Sequence, residues 1–106
     1  MRFVWDENKN ISNKEKHGVS FEQAREVFSD PFQLSILDER FSYYEERWIT
    51  VGTTQDQHIL VVAHLYFDED GEELIRLISA RNATSHERRQ YEYEKWFWNE
   101  KWIWFF

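Results

Sequence analysis

The chain has 106 residues, of which 42% are hydrophobic, and its 20 acidic and 13 basic side chains give a formal net charge of -7. This length suits one domain and leaves too little chain for two. The acidic balance argues against broad, non-specific nucleic-acid binding, which depends on basic surface, but it leaves room for a local basic cleft.

Several absences narrow the class further. The chain has no cysteine, which excludes disulfides and thiolate metal sites. The N-terminal residues lack the apolar run of a signal peptide, and no stretch approaches the ~20 apolar residues of a membrane span. We therefore expect a cytoplasmic protein with no membrane association.

The N-terminal third predicts a short strand and a first helix. Residues 3–5 are apolar and read as the strand, and Asp6 is placed to cap a helix that reaches about Lys16. Gly18 follows as the C-terminal stop, because glycine readily adopts the left-handed conformation.

A second helix begins at Ser20, which forms a capping box with Gln23. Its apolar residues recur at helical spacing and predict a core stripe, which consists of Phe21, Ala24, Val27 and Phe28. Asp30 and Pro31 end the element.

The rest of the chain is rich in strand patterns, and we predict strands at residues 33–37, 47–52, 58–67 and 73–81. Asp70-Gly71 is a strong hairpin signal between the last two. The expected fold is α+β, an antiparallel meander with two N-terminal helices and one C-terminal helix. Three helices cover one sheet face well, so the opposite face is free to form a site.

The C-terminus is crowded with apolar and aromatic residues, namely Tyr91, Tyr93, Trp96, Phe97, Trp98, Trp102, Ile103, Trp104, Phe105 and Phe106. No single helix face holds them all, although Tyr91, Trp98, Trp102 and Phe105 make one stripe. Either this tail wraps into the core, or it exposes an aromatic patch for a partner. We predict a domain at residues 1–95, with residues 96–106 as its aromatic extension.

Charge is segregated along the sequence. Residues 76–89 hold four arginines and one glutamate, whereas carboxylates cluster at residues 38–39, 45–46, 68–73 and 92–94. The two kinds of segment either serve opposite partners, an anion and a basic protein, or are ordinary solvated surface.

Common enzyme motifs are missing: there is no phosphate-binding glycine loop, no His-Glu-x-x-His and no Gly-x-Ser-x-Gly. The four histidines lie on different predicted elements without metal-ligand spacing, so we expect no metal and no cofactor. Acid–base and cationic chemistry remain.

Two blocks of residues, in the same order along the chain, resemble a known protein family. The first consists of Phe3, Trp5, Asp6, Asn8, Lys9, Asn13, Lys16, His17, Gly18, Val19, Ser20, Phe21, Glu22, Ala24, Val27, Phe28, Asp30 and Pro31. After Glu46, Arg47 and Gly52, the second consists of Ile75, Arg76, Ile78, Ser79, Ala80, Arg81, Ala83, Thr84, Glu87, Arg88 and Tyr91. Over residues 3–91 the chain resembles the BrnT family.

The resemblance implies a ribonuclease toxin of a type II toxin–antitoxin module. It further implies a fold similar to RelE-type toxins, an RNA substrate, and a BrnA-like antitoxin whose DNA-binding part is a ribbon-helix-helix. The aromatic tail lies past the resemblance, where it is a candidate contact for a homodimer or for the antitoxin.

A metal-independent ribonuclease needs a base for the 2′-hydroxyl, cations for the developing phosphorane and an acid for the leaving oxygen. Arg76 and Arg81 are the candidate cations, since a guanidinium matches phosphate oxygens. They have opposite strand parity, so they share a face only if a bulge intervenes or Arg81 lies beyond the strand. The alternative role of Arg81 is to bond Glu46 or another carboxylate at the strand–helix corner.

The proton-transfer candidates are His17, its neighbour Lys16, Tyr91 and His64. His17 follows Lys16 at a helix C-terminus, where it either transfers protons or caps the helix. Tyr91 either reaches the cleft, as C-terminal groups of RelE-like folds do, or packs among aromatic residues. His64 lies opposite Arg76 if the hairpin loop has three residues and opposite Leu77 if it has two.

Three hypotheses follow from the sequence. They are a toxin-type endoribonuclease, a protein-interaction module with weak or absent catalysis, and a specific single-stranded nucleic-acid binder that stacks bases on tail tryptophans.

Overall fold

The computed structural model describes residues 1–40 and 45–105, without the side chains of residues 98–105. Its elements, in chain order, are β1 (Arg2–Val4), α1 (Glu7–His17), α2 (Phe21–Arg25), a 3-10 helix (Glu26–Ser29), β2 (Leu34–Leu37), β3 (Arg47–Thr53), β4 (Ile59–Glu69), β5 (Glu72–Asn82) and α3 (Ser85–Phe105).

The five strands form one mixed sheet in the order β1-β5-β4-β3-β2. Strands β2 to β5 are the predicted antiparallel meander, and the α+β class with its three α-helices is confirmed. The sheet is not wholly antiparallel, since β1 pairs parallel to β5. This difference arises because α1 and α2 separate β1 from β2 and let β1 occupy the far edge.

The predicted helix ends are confirmed. The Asp6 carboxylate accepts hydrogen bonds from the Asn8 and Lys9 N–H groups, and Gly18 ends α1 with φ at 71°. Ser20 and Gln23 form the predicted capping box at the start of α2.

One face of the sheet, the covered face, packs against α2 and the 3-10 helix. Phe21, Ala24 and Val27 are fully buried against Leu60, Val62, Ile75, Leu77 and Ala80. Gly52 allows this close packing, because a Cβ atom there would lie 2.7 Å from the Val27 side chain. The apolar stripe of α2 is therefore core, as the spacing predicts.

Helix α1 attaches to the sheet through a buried asparagine. The Asn13 amide accepts from the Ala80 N–H at 3.1 Å and donates to the Ala80 carbonyl at 2.8 Å. It thus continues the pairing of β5 beyond the end of β1. Asn13 also donates to the Val19 carbonyl at 2.8 Å, which ties the chain after α1 to the same point.

The β4–β5 hairpin has the two-residue loop that Asp70-Gly71 predicts. Glu69 pairs with Glu72, and both loop residues have positive φ, the pattern of a type I′ turn. The register shifts between Ala63, which pairs with Ser79, and His64, which pairs with Leu77. Ile78 is the extra residue of β5 and forms a β-bulge. This bulge changes which face the later residues of β5 occupy.

Helix α3 runs without a break through Lys95 and Trp96, so the boundary between residues 1–95 and 96–106 stays a prediction. Tyr93, Trp96 and Phe97 are largely exposed. The side chains of Trp98, Trp102 and Phe105, which the predicted stripe needs, lie outside the described residues, as does Phe106.

Candidate functional site

Four arginines lie on the face of the sheet opposite α2, which we call the arginine face: Arg2, Arg47, Arg76 and Arg81. Alternate residues of a strand point to the same face. Arg47 pairs with Leu65, which pairs with Arg76, so these three form one row across the sheet. Arg81 pairs with Val61, four residues from Leu65 in β4 and therefore on the same face. The Ile78 bulge is what unites Arg76 and Arg81.

Arg76 is an available cation of this face, and the exposed Arg2 near it is another. The Arg76 side chain is exposed, and it makes no hydrogen bond or ion pair with the side chains described, those of residues 1–40 and 45–97. The N–H groups of this exposed guanidinium are therefore available to donate hydrogen bonds to an external anion.

Arg47 lies two strand spacings from Arg76, about 10 Å along the row. Its guanidinium nitrogen Nε is 3.9 Å from the buried carboxylate of Asp38, which also contacts Arg40. Only the strand register shows that Arg47 shares a face with Arg76. The period-2 alternation of residues 47–53 was the signal that could have indicated it.

Arg81 is held by a carboxylate, as its alternative role predicts, but the partner is Glu87 and not Glu46. Its two terminal nitrogens contact the two Glu87 oxygens at 2.8 and 3.0 Å. The hydrogen bond from Arg81 is the main cause that lowers the pKa of Glu87 to about 2. Glu87 also accepts from the Thr84 N–H at 2.9 Å, so this pair braces the corner between β5 and α3.

His64 lies on the covered face, away from Arg76. It pairs with Leu77, which is the register of the two-residue loop. Its Nε2 atom is 2.8 Å from the Thr50 hydroxyl, which is 2.7 Å from the Ser35 hydroxyl. Burial lowers the pKa of His64 to about 4, against a smaller opposing effect of the Leu65 backbone. The ring is therefore neutral at physiological pH.

Tyr91 is buried at one end of the arginine face. Its hydroxyl donates to Asp30 and accepts from the Thr53 hydroxyl at 3.0 Å. Burial is the main cause that raises the pKa of Tyr91 to about 12, with a further contribution from the Asp30 hydrogen bond. These contacts join α3 to β3 and to the residues before β2.

His17 and Lys16 lie at the C-terminal end of α1. His17 is one helical turn, about 6 Å, past Asn13. Since Asn13 contacts Ala80, the pair lies towards the end of β5 where Arg81 is located and away from the hairpin. Lys16 is exposed and His17 is half-buried.

The six predicted catalytic residues thus fall into separate places. Arg76 and Arg81 share a face, and Lys16 and His17 lie beside the end of β5. Tyr91 of α3 is buried at one end of the arginine face, and His64 lies on the covered face. In the described part of the chain, no three His, Asp or Glu side chains are grouped in a way that could hold a metal ion. No helix there has the length and apolar character needed to cross a membrane.

A comparison with protein-family models identifies the family to which the chain belongs. Residues 5–87 match the model described as ribonuclease toxin, BrnT, of type II toxin–antitoxin system. The chain belongs to the BrnT family. No curated protein matches it in a sequence search.

BrnT membership makes the chain a ribonuclease toxin and implies an antitoxin partner and an RNA target. The matched segment contains Arg47, Arg76, Arg81 and Glu87 and ends before Tyr91. Many residues of the two sequence blocks hold the BrnT fold together: Asn13 fastens α1, Gly52 admits Val27, and Glu87 caps α3. Arg76 has no such structural role.

Proposed function

We propose that this BrnT protein is a metal-independent endoribonuclease that places its RNA substrate on the arginine face, with Arg76 as the main phosphate contact. The observation that carries this proposal is the exposed guanidinium of Arg76, which has no partner among the described side chains of residues 1–40 and 45–97. Arg47 lies in the same row and supplies a second positive charge.

The proposed chemistry is attack of the RNA 2′-oxygen on the adjacent phosphorus atom, with departure of the 5′-oxygen. The transition state gathers negative charge on the phosphoryl oxygens, which Arg76 stabilises by hydrogen bonds that strengthen as that charge develops. Arginine supplies this charge directly, without a metal ion.

For proton transfer we propose His17, with Lys16 beside it; both lie towards the Arg81 end of β5, so this role requires the RNA strand to extend along the sheet from Arg76 to that end. An imidazole ring can both accept and donate a proton, which suits the role of base or acid. Arg81, Tyr91 and His64 already have protein partners, which favours positioning or structural roles for them.

The proposed partner is a BrnA-like ribbon-helix-helix antitoxin that covers the arginine face, within a RelE-like arrangement in the cytoplasm. An alternative function is an interaction module with little catalysis. The exposed Tyr93, Trp96 and Phe97 on α3 favour this alternative, because such a patch suits a homodimer or antitoxin contact.

The test is RNA cleavage by the purified full-length protein in the presence of EDTA. We expect cleavage by the parent and a loss of about 100-fold or more in Arg76→Ala. Arg25→Ala is the matched control, since Arg25 is exposed on α2, behind the sheet, and its loss should leave cleavage unchanged.

Absence of cleavage by the parent, in EDTA or with added Mg²⁺, would favour the interaction module. Cleavage that appears only with Mg²⁺ would contradict metal independence. For His17, we expect the pH–rate profile to lose one limb in His17→Gln, and an unchanged profile would remove His17 from the mechanism.

A further inference from the structure

A cavity of about 250 Å³ opens on the covered face, at the hairpin end that α2 does not reach. Its walls are largely aromatic and include Phe28, Trp48 and Tyr66, and His64 forms part of its lining. We call it the acidic pocket, because the carboxylates of Glu46 and Glu73 stand at its exposed edge. The proposed cleavage of RNA uses none of these residues.

Two buried polar atoms of the acidic pocket lack a partner. They are Nδ1 of His64, a residue that is only 4% exposed, and Nε1 of Trp48. The Leu65 backbone approaches the His64 ring without a hydrogen bond to Nδ1. Buried polar atoms are normally hydrogen-bonded, so these two indicate a site that a ligand completes.

The rim of the pocket is negative. Asp68 pairs with Glu73 across the hairpin on the covered face, and Glu46 joins them from the start of β3. Burial, followed by Glu73, Asp68 and Glu46, raises the pKa of Tyr66. The arginines of the same strands, Arg47 and Arg76, point to the other face.

We propose that the acidic pocket binds a basic peptide segment of a partner protein, with an arginine side chain between Glu46 and Glu73. The guanidinium pairs with the carboxylates and stacks on the aromatic walls. The peptide backbone lies over Trp48 and His64, and it bonds their buried Nε1 and Nδ1 atoms when the pocket walls shift to admit it.

The charge at the rim is what favours a peptide over RNA. A base entering from an RNA strand would bring its phosphates to Glu46, Glu73 and Asp68, where like charges repel. A basic peptide meets the opposite sign. This inference does not depend on RNA cleavage, so it can fail or hold independently of the proposed ribonuclease activity.

The test is a titration of the ¹⁵N-labelled full-length protein, followed by two-dimensional NMR. The probe is the capped tripeptide acetyl-Gly-Arg-Gly-amide, and the matched probe has glutamine in place of arginine. The indole N–H signal of Trp48, assigned by its absence in Trp48→Phe, should shift and saturate with the arginine probe, while the glutamine probe should bind at least about fivefold more weakly.

The double variant Glu46→Gln, Glu73→Gln should weaken arginine binding by about fivefold or more. Its matched control, Glu15→Gln, Asp56→Asn, removes two exposed carboxylates elsewhere and should bind like the parent. Both must keep the dispersed spectrum of the folded protein. Equal shifts with both probes, equal weakening in both double variants, or saturation of the Trp48 signal by guanosine instead would each overturn the proposal.

Discussion

The two faces of the sheet use the same strands for opposite purposes. On the arginine face, Arg47 and Arg76 stand in one row, and Arg76 is exposed. On the covered face, the neighbouring positions are core residues such as Leu77, or carboxylates such as Glu73 at the pocket rim. The same strands therefore carry arginines on one face and core residues or pocket carboxylates on the other.

This separation shows how a protein with a net charge of -7 can present a face of arginines, as the proposed RNA site requires. Strand alternation sends adjacent charges such as Glu46 and Arg47 to opposite sides of the sheet, so that the sheet itself lies between them. The overall acidic balance sets the long-range field, whereas the arginine face provides the local contact.

The largest expected difference between the two faces is in how much the loss of a side chain lowers the free energy of unfolding. Leu77→Ala removes a side chain that is 1% exposed on the covered face, and we expect a loss of about 2–5 kcal/mol in the free energy of unfolding. Ile36→Ala on the other face, at a residue that is 64% exposed, should change it by about 0.5 kcal/mol or less. Urea unfolding followed by tryptophan fluorescence measures both. Similar losses would show that the two faces are equally packed.

A smaller loss is expected at the edge of the sheet. Asn13→Ala leaves the N–H and carbonyl of Ala80 and the carbonyl of Val19 without their partner, at a cost of about 2–3 kcal/mol. The control is Ser12→Ala, an exposed neighbour on α1. Hydrogen exchange at the Ala80 amide should accelerate only in the Asn13 variant, and unchanged exchange would show that another group takes over the bond.

Tyr91→Phe should cost about 1–2 kcal/mol in stability, because Asp30 and the Thr53 hydroxyl lose a buried partner. RNA cleavage per folded molecule should not change, since the hydroxyl is enclosed and its pKa is raised to about 12. Tyr93→Phe, on the exposed side of α3, is the control for stability. Reduced cleavage with intact stability would instead assign Tyr91 to the reaction.

The features that sequence predicts well here are those decided by near neighbours. Asp6 and Gly18 bound α1, the Ser20–Gln23 capping box starts α2, and Asp70-Gly71 forms the hairpin turn. Each depends on atoms within a few residues, so the local sequence contains most of the necessary information.

The site depends on distant contacts and is less predictable. In a regular strand, Arg76 and Arg81 would point to opposite faces of the sheet. The bulge at Ile78 places them on the same face. The partner of Arg81 proved to be Glu87, and the contact of Asn13 with Ala80 joins residues 67 positions apart. Such pairings follow from how elements pack, which no local pattern records.

The smallest expected effect separates the two arginines of β5 from each other. Glu87→Gln should lower stability at pH 7 by about 1 kcal/mol, because it removes a partly exposed ion pair with Arg81 and weakens the cap of α3. The pKa of Glu87 is about 2 in the folded protein, against an ordinary value of 4.5. Its contribution to stability is therefore complete above about pH 4.5 and is lost as the pH falls towards 2.

Urea unfolding between pH 7 and 2 should therefore show the parent losing its stability advantage over Glu87→Gln between pH 4.5 and 2. Glu92→Gln, at an exposed position of α3, should not alter the pH dependence. If the parent and Glu87→Gln lost stability in parallel, Arg81 would not be a brace, and it would stand beside Arg76 as a second cation available to phosphate.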